Sequence, residues 1–198
     1  MTKTRTSCTG SIRWLFGTVF LSVLATIFLA RLSPGNSHAA TAREIDVSVD
    51  VALERFTGEV KGAREFLAIA KGVLVFPSVI KAGLGIGGEY GEGALRIDGL
   101  TVDYYNTVAA SFGLQLGAQS KTIILLFMEQ ESLEKFRRSE GWKVGVDGSV
   151  ALVTVGVGGA LDTENIKDPV VGFVFGQKGL MYNLTLEGAK ITRLNKER

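Results

Sequence analysis

Gly83-x-Gly85-x-x-Gly88 follows a run of strand-forming residues, the spacing of the glycine loop that cradles a dinucleotide pyrophosphate. That chemistry needs a helix to start at the last glycine, so that its N-terminal amides face the phosphates. Here Glu89-Tyr90-Gly91-Glu92-Gly93 comes next, a poor helix start. The glycines are therefore expected to be bends or close-packing points. No Gly-Lys-Ser/Thr follows them, so a phosphate loop is not indicated either. Glu89 and Glu92, with Asp103 or Asp147, offer acid–base chemistry, but a working carboxylate pair needs a set separation that spacing does not provide. Surface or turn positions are the expected places for them. Tyr104-Tyr105, Trp142, Phe173 and Phe175 have rings that can stack on a sugar or lipid, yet aromatic residues mostly build cores. Arg137-Arg138, near Lys143, reads as a solvated helix face.

The N-terminus narrows the chemistry further. Lys3, Arg5 and Arg13 precede an uncharged apolar stretch from Trp14 to Ala30, and Ser37-His38-Ala39 fits a small-x-small cleavage pattern with the cut before Ala40. Residues 1–39 read as a secretory signal, with a retained membrane anchor as the competing reading. On either reading the rest of the chain is exported, to a periplasm or cell envelope. The single His38 and single Cys8 both fall in that segment. Residues 40–198 then contain no thiol nucleophile, no histidine base and no ordinary zinc or haem ligand set. No enzymatic activity and no cofactor or metal is expected. The same 159 residues hold 18 basic and 20 acidic side chains, a net of −2, which does not suit a nucleic-acid partner.

The elements that must position these groups change character along the chain. Ile45, Val49, Ala52, Leu53 and Phe56 recur at helical spacing, and Ala63, Phe66, Leu67 and Ala70 follow after Gly58. Residues 42–70 are predicted as an amphipathic helix pair, or one helix bent near Gly58 or Gly62. Its apolar face is expected to cover the core; the sharper alternative lays part of it on a membrane interface. From Gly72 onward strand patterns take over. A run at Val73–Phe76 is predicted to end at Pro77, with turns at Asp98-Gly99 and around Asn106. Thr122 to Met128 reads as a central strand and Gln130 to Ser139 as a short helix. Trp142 to Val157 is predicted as a long strand or a hairpin bent at Asp147-Gly148. Gln177-Lys178-Gly179 is predicted as a hairpin turn before Leu180–Leu186, and Glu187-Gly188 as another. In Ser111 to Gln119 the alternation places Ser, Gly and Gln on one face and apolar residues on the other; Val155 to Gly159 is a third glycine-studded stretch. The expected fold is α+β, with N-terminal helices packed on a glycine-rich, mainly antiparallel, curled or barrel-like sheet.

Taken in order, Ala70 to Pro77, Gly83 to Gly88, Ser111 to Gln119, Val144 to Val150, Lys178-Gly179-Leu180 and Leu186 to Ala189 resemble the SYLF domain family. The resemblance spans roughly residues 43–194, so residues 40–198 are expected to form a single SYLF-like domain. It implies a lipid-binding module. Eukaryotic relatives associate with phosphoinositide membranes and, in yeast endocytic proteins, with actin filaments; bacterial relatives are typically exported envelope proteins. The resemblance together with the signal suggests an exported protein associating with anionic phospholipid membranes or single lipids, for which actin is not the expected partner. Arg55, Lys61, Arg64, Lys71 and Lys81 are the candidate lipid-binding residues, by attraction to headgroups. The alternative is a structural or protein-interaction module of the envelope, with an envelope protein as its partner.

Overall fold

The computed structural model describes residues 40–154, 168–179 and 188–197. The signal segment, the Val155–Gly159 stretch and Leu180–Glu187 lie outside the described residues. Thr41 opens helix α1 (Ala42–Glu59) through a capping box: its hydroxyl oxygen accepts from the Glu44 amide, and the Glu44 carboxylate accepts from the Thr41 amide at 2.8 Å. That carboxylate is held below its usual pKa by the Thr41 backbone and hydroxyl hydrogen bonds. α1 ends short of Gly62, whose φ of 84° turns the chain into α2 (Ala63–Ile69). The bend expected near Gly58 or Gly62 thus falls at Gly62.

Two long strands follow, β1 (Gly72–Ile97) and β2 (Leu100–Phe127), paired antiparallel from Gly72↔Phe127 to Ile97↔Leu100. Asp98 and Gly99 join them with φ of 51° and 78°, both left-handed, as a tight hairpin turn needs. α3 (Gln130–Arg138) follows, with Leu133 and Phe136 turned inward. Then come β3 (Trp142–Lys143), β4 (Ala151–Thr154), β5 (Val170–Gly179) and β6 (Lys190–Leu194). β2 is the spine of the sheet. Its first part pairs with β6 (Tyr104–Val108) and its last part with β5 (Gln119–Phe127), while β1 runs along its other edge. β4 joins parallel to β5 and β3 antiparallel to β6. The result is the expected α+β fold with a curled, mostly antiparallel sheet.

Several local expectations are corrected. Pro77 does not end a strand. It sits in a bulge between Phe76 and Val79, where a missing amide costs no ladder bond, and its carbonyl accepts from Thr122 Oγ1 at 2.9 Å. Asn106 is mid-strand, paired with Glu92 and Thr192. Gln177-Lys178-Gly179 continues β5 along Ser120 and Gln119 rather than turning. Trp142 onward is neither one strand nor one hairpin, because β3 and β4 join different partners.

The curl has a direct cause in β1, which folds over on itself about residues 83–87. A Cβ on Gly83 would strike Gly87, one on Gly91 would lie 2.7 Å from Val79 Cγ2, and one on Gly93 would strike the Val75 carbonyl. Only residues without a Cβ let the two halves come this close. One face of the folded sheet holds Leu74, Phe76, Val79, Leu95, Ile123, Leu125 and Phe127, closed by Phe136 of α3 and Trp142. The other face, with Val75, Ala94, Ile124, Leu126 and Phe173, receives Ile45, Val49, Ala52, Phe56 and Phe66 of the helices. The main apolar face of the helix pair is therefore spent on the core and is not available for insertion into a membrane.

Candidate functional site

Arg55, Lys61, Arg64 and Lys71 all lie on the helix pair and its exit. Arg55 is engaged: its Nε donates to Glu59 Oε1 at 3.0 Å, one turn on, and its guanidinium lies over the Phe175 ring, 5.5 Å from the centroid. It also packs where a Cβ on Gly176 would stand. Lys61, Arg64 and Lys71 are exposed, and no described residue forms an ion pair with them. The left-handed turn at Gly62 separates Lys61 from Arg64, and the Lys71 amide is fixed to the Phe127 carbonyl at 2.7 Å where β1 begins.

Lys81 is elsewhere. Alternation after the Pro77 bulge turns it into the same interior as Val79, with its side chain only 3% exposed. The fold-over at 83–87 brings Glu89 back to it: Lys81 Nζ lies 3.4 Å from Glu89 Oε1, and Lys121 Nζ lies 2.8 Å from Glu89 Oε2. The second contact is a charge pair whose angle does not align a hydrogen bond, since Lys121 Nζ has no hydrogen-bond partner. Gln119, opposite Lys81 on β2, is also buried, and its Oε1 is unpartnered. Two ammonium groups thus share one carboxylate inside the fold, an excess of one positive charge among the described residues. Removing ions from water costs several kcal/mol each, so one carboxylate offsets only part of this.

The remaining carboxylates are committed separately. Asp46 accepts from Thr101 Oγ1 at 2.7 Å and Tyr104 OH at 2.9 Å, and Asp50 from Arg96 at 2.7 Å, which ties α1 to the hairpin. Glu92 accepts from Tyr90 OH at 2.7 Å and from Lys196 at 3.0 Å. Partial burial first, and then that carboxylate, push the Tyr90 pKa up to about 12. Asp103 faces Arg137 and Arg193, and Asp147 accepts from the Lys143 amide at 2.7 Å to close the loop after β3. Tyr104, Tyr105, Trp142, Phe173 and Phe175 are all buried in the cores, as expected. Among the described residues no cluster is suited to a metal ion, and no helix is long and apolar enough to cross a membrane.

Residues 108–197, from the middle of β2 to the end of β6, match the family model described as Ysc84, Las17-binding protein actin regulator. Over that stretch the chain matches the SYLF domain family. No curated protein matches it. The matched stretch contains Lys121 and Gln119 but starts after Lys81, Glu89 and all the basic residues of the helix pair. The Glu89–Lys121 contact is not among the sequence-based expectations. A signal for it existed: Lys121 shares its alternation with Ile123, Leu125 and Phe127, the inward positions of a buried strand.

Proposed function

We propose that this chain is an exported, non-enzymatic lipid-binding protein that associates reversibly with anionic phospholipid surfaces of a bacterial envelope. The observation that carries this reading is the SYLF domain held beneath a helix pair whose Lys61, Arg64 and Lys71 are exposed and free of described ion-pair partners. The signal-like residues 1–39 support export. Each basic side chain that reaches an anionic surface contributes about 1 kcal/mol. Reversing Lys61, Arg64 and Lys71 to glutamate is expected to weaken binding to anionic vesicles about 100-fold or more, with an unchanged circular dichroism spectrum. Unchanged binding by a folded triple variant would remove these residues from the function.

The family description names a protein partner and actin regulation, which favours one second reading: a protein-interaction module of the envelope. Salt separates the two, because attraction to an anionic bilayer is screened and a dry protein interface is much less so.

A further inference from the structure

The outer face of the β1–β2 fold-over carries exposed apolar side chains. The helix pair covers the face that holds Val75, Ala94, Ile124 and Leu126. Farther along the same strands, Ile80 is 56% exposed, Ile86 70%, Tyr90 48% and Val108 47%. Tyr90 and Val108 are direct cross-strand partners, so these two side chains lie side by side. No charged residue occurs from Ala82 to Gly88 or from Tyr104 to Ser120, the two stretches that build the bend. A patch of this kind on a chain marks a contact surface.

What lies beneath it selects the partner. Lys81 and Lys121 follow Ile80 and Ser120 directly in their strands and point to the opposite, interior face, where, among the described residues, Glu89 balances only one of them. A buried charge in a low-dielectric sheet is weakly screened and projects its field to the outer face. The geometry points to this face as the surface that enters the interfacial layer of an anionic bilayer. Ile80 and Ile86 supply apolar area, the half-exposed Tyr90 ring sits at headgroup level, and the buried lysine excess supplies attraction without stripping water from exposed cations. This inference rests on the lipid-binding reading above and assigns it a second contact, formed by strands instead of the helix pair.

The test uses the full chain with Cys8→Ser and one new cysteine carrying an environment-sensitive nitrobenzoxadiazole dye. Ile86→Cys reports the bend. Leu100→Cys, 71% exposed at the opposite end of the same hairpin, is the control. With phosphatidylglycerol-containing vesicles, the dye at 86 should shift to the blue, brighten several-fold and be quenched by lipid-borne spin labels, while the dye at 100 stays aqueous. Lys121→Met should lower the bound fraction on anionic vesicles several-fold and leave the weak binding to phosphatidylcholine unchanged. Vesicle binding with an aqueous dye at 86 would overturn this inference and leave the lipid reading standing. A dye at 86 already shielded before vesicles are added would assign the patch to a protein contact and overturn it too. Failure of the unlabelled chain to bind any vesicle would overturn both.

Discussion

Glu89 is the residue on which the interior charge depends. It is 6% exposed in its side chain and is shared by two ammonium groups. Glu89→Gln leaves both lysines without a counter-charge among the described residues and is expected to cost about 3–5 kcal/mol, the cost of breaking a buried pair. Lys121→Met acts in the opposite sense, since Lys81 and Glu89 remain as a neutral pair and one desolvated charge is gone. Its unfolding midpoint in urea should be unchanged or higher. A loss of stability in Lys121→Met as large as that in Glu89→Gln would show that Lys121 is a needed partner and not an excess. At this scale much was hidden in the sequence. Lys81 looked like a surface cation because nothing local announces the bulge at Pro77 that sets its face. Glu89 looked like a turn carboxylate because its partners lie eight and thirty-two positions away and meet only through the fold-over.

The helices were read from periodicity nearly to the residue, and the Asp98-Gly99 turn from its residue types, because local rules decide both. The long strands were not. A strand's alternation restarts at each bulge, and β1 carries three register shifts along its pairing with β2. Continuous pairing from Gly72 to Ile97 therefore resembled several short strands with turns between them. The glycine pattern did signal bending or close approach, and the structure shows which glycines do it. Gly93→Ala would press a methyl into the Val75 carbonyl, and Gly91→Ala would meet Val79, so each should cost about 1–3 kcal/mol by overpacking. Gly58 is a control of opposite sign. It lies in α1 with no atom within 4 Å of a would-be Cβ, so Gly58→Ala should stabilise by about 0.5–1 kcal/mol. Chemical denaturation of the variants checks both signs, and a stable Gly93→Ala protein would contradict the folded-over strand.

The described residues from 40 onward form a bent sheet with a helix pair on one face, a small helix and Trp142 on the other, and buried charges near the bend. The fold class and the SYLF relationship were legible because motif order and helical periodicity survive without knowledge of contacts. The five candidate cations differ in their surroundings. Lys61, Arg64 and Lys71 are exposed where a surface could meet them, Arg55 is tied to Glu59 and Phe175, and Lys81 is interior. Spacing alone cannot separate an exposed cation from one that a tertiary bend turns inward. The central claim is that this domain recognises anionic lipid surfaces, and the measurement that tests it most directly is co-sedimentation of residues 40–198 with neutral and with anionic liposomes, each at low and high salt. The account predicts binding to anionic vesicles at low salt, a several-fold loss at high salt and little binding to neutral ones. Binding to neither vesicle at low salt, with the domain folded, would contradict it and turn the search to a protein partner.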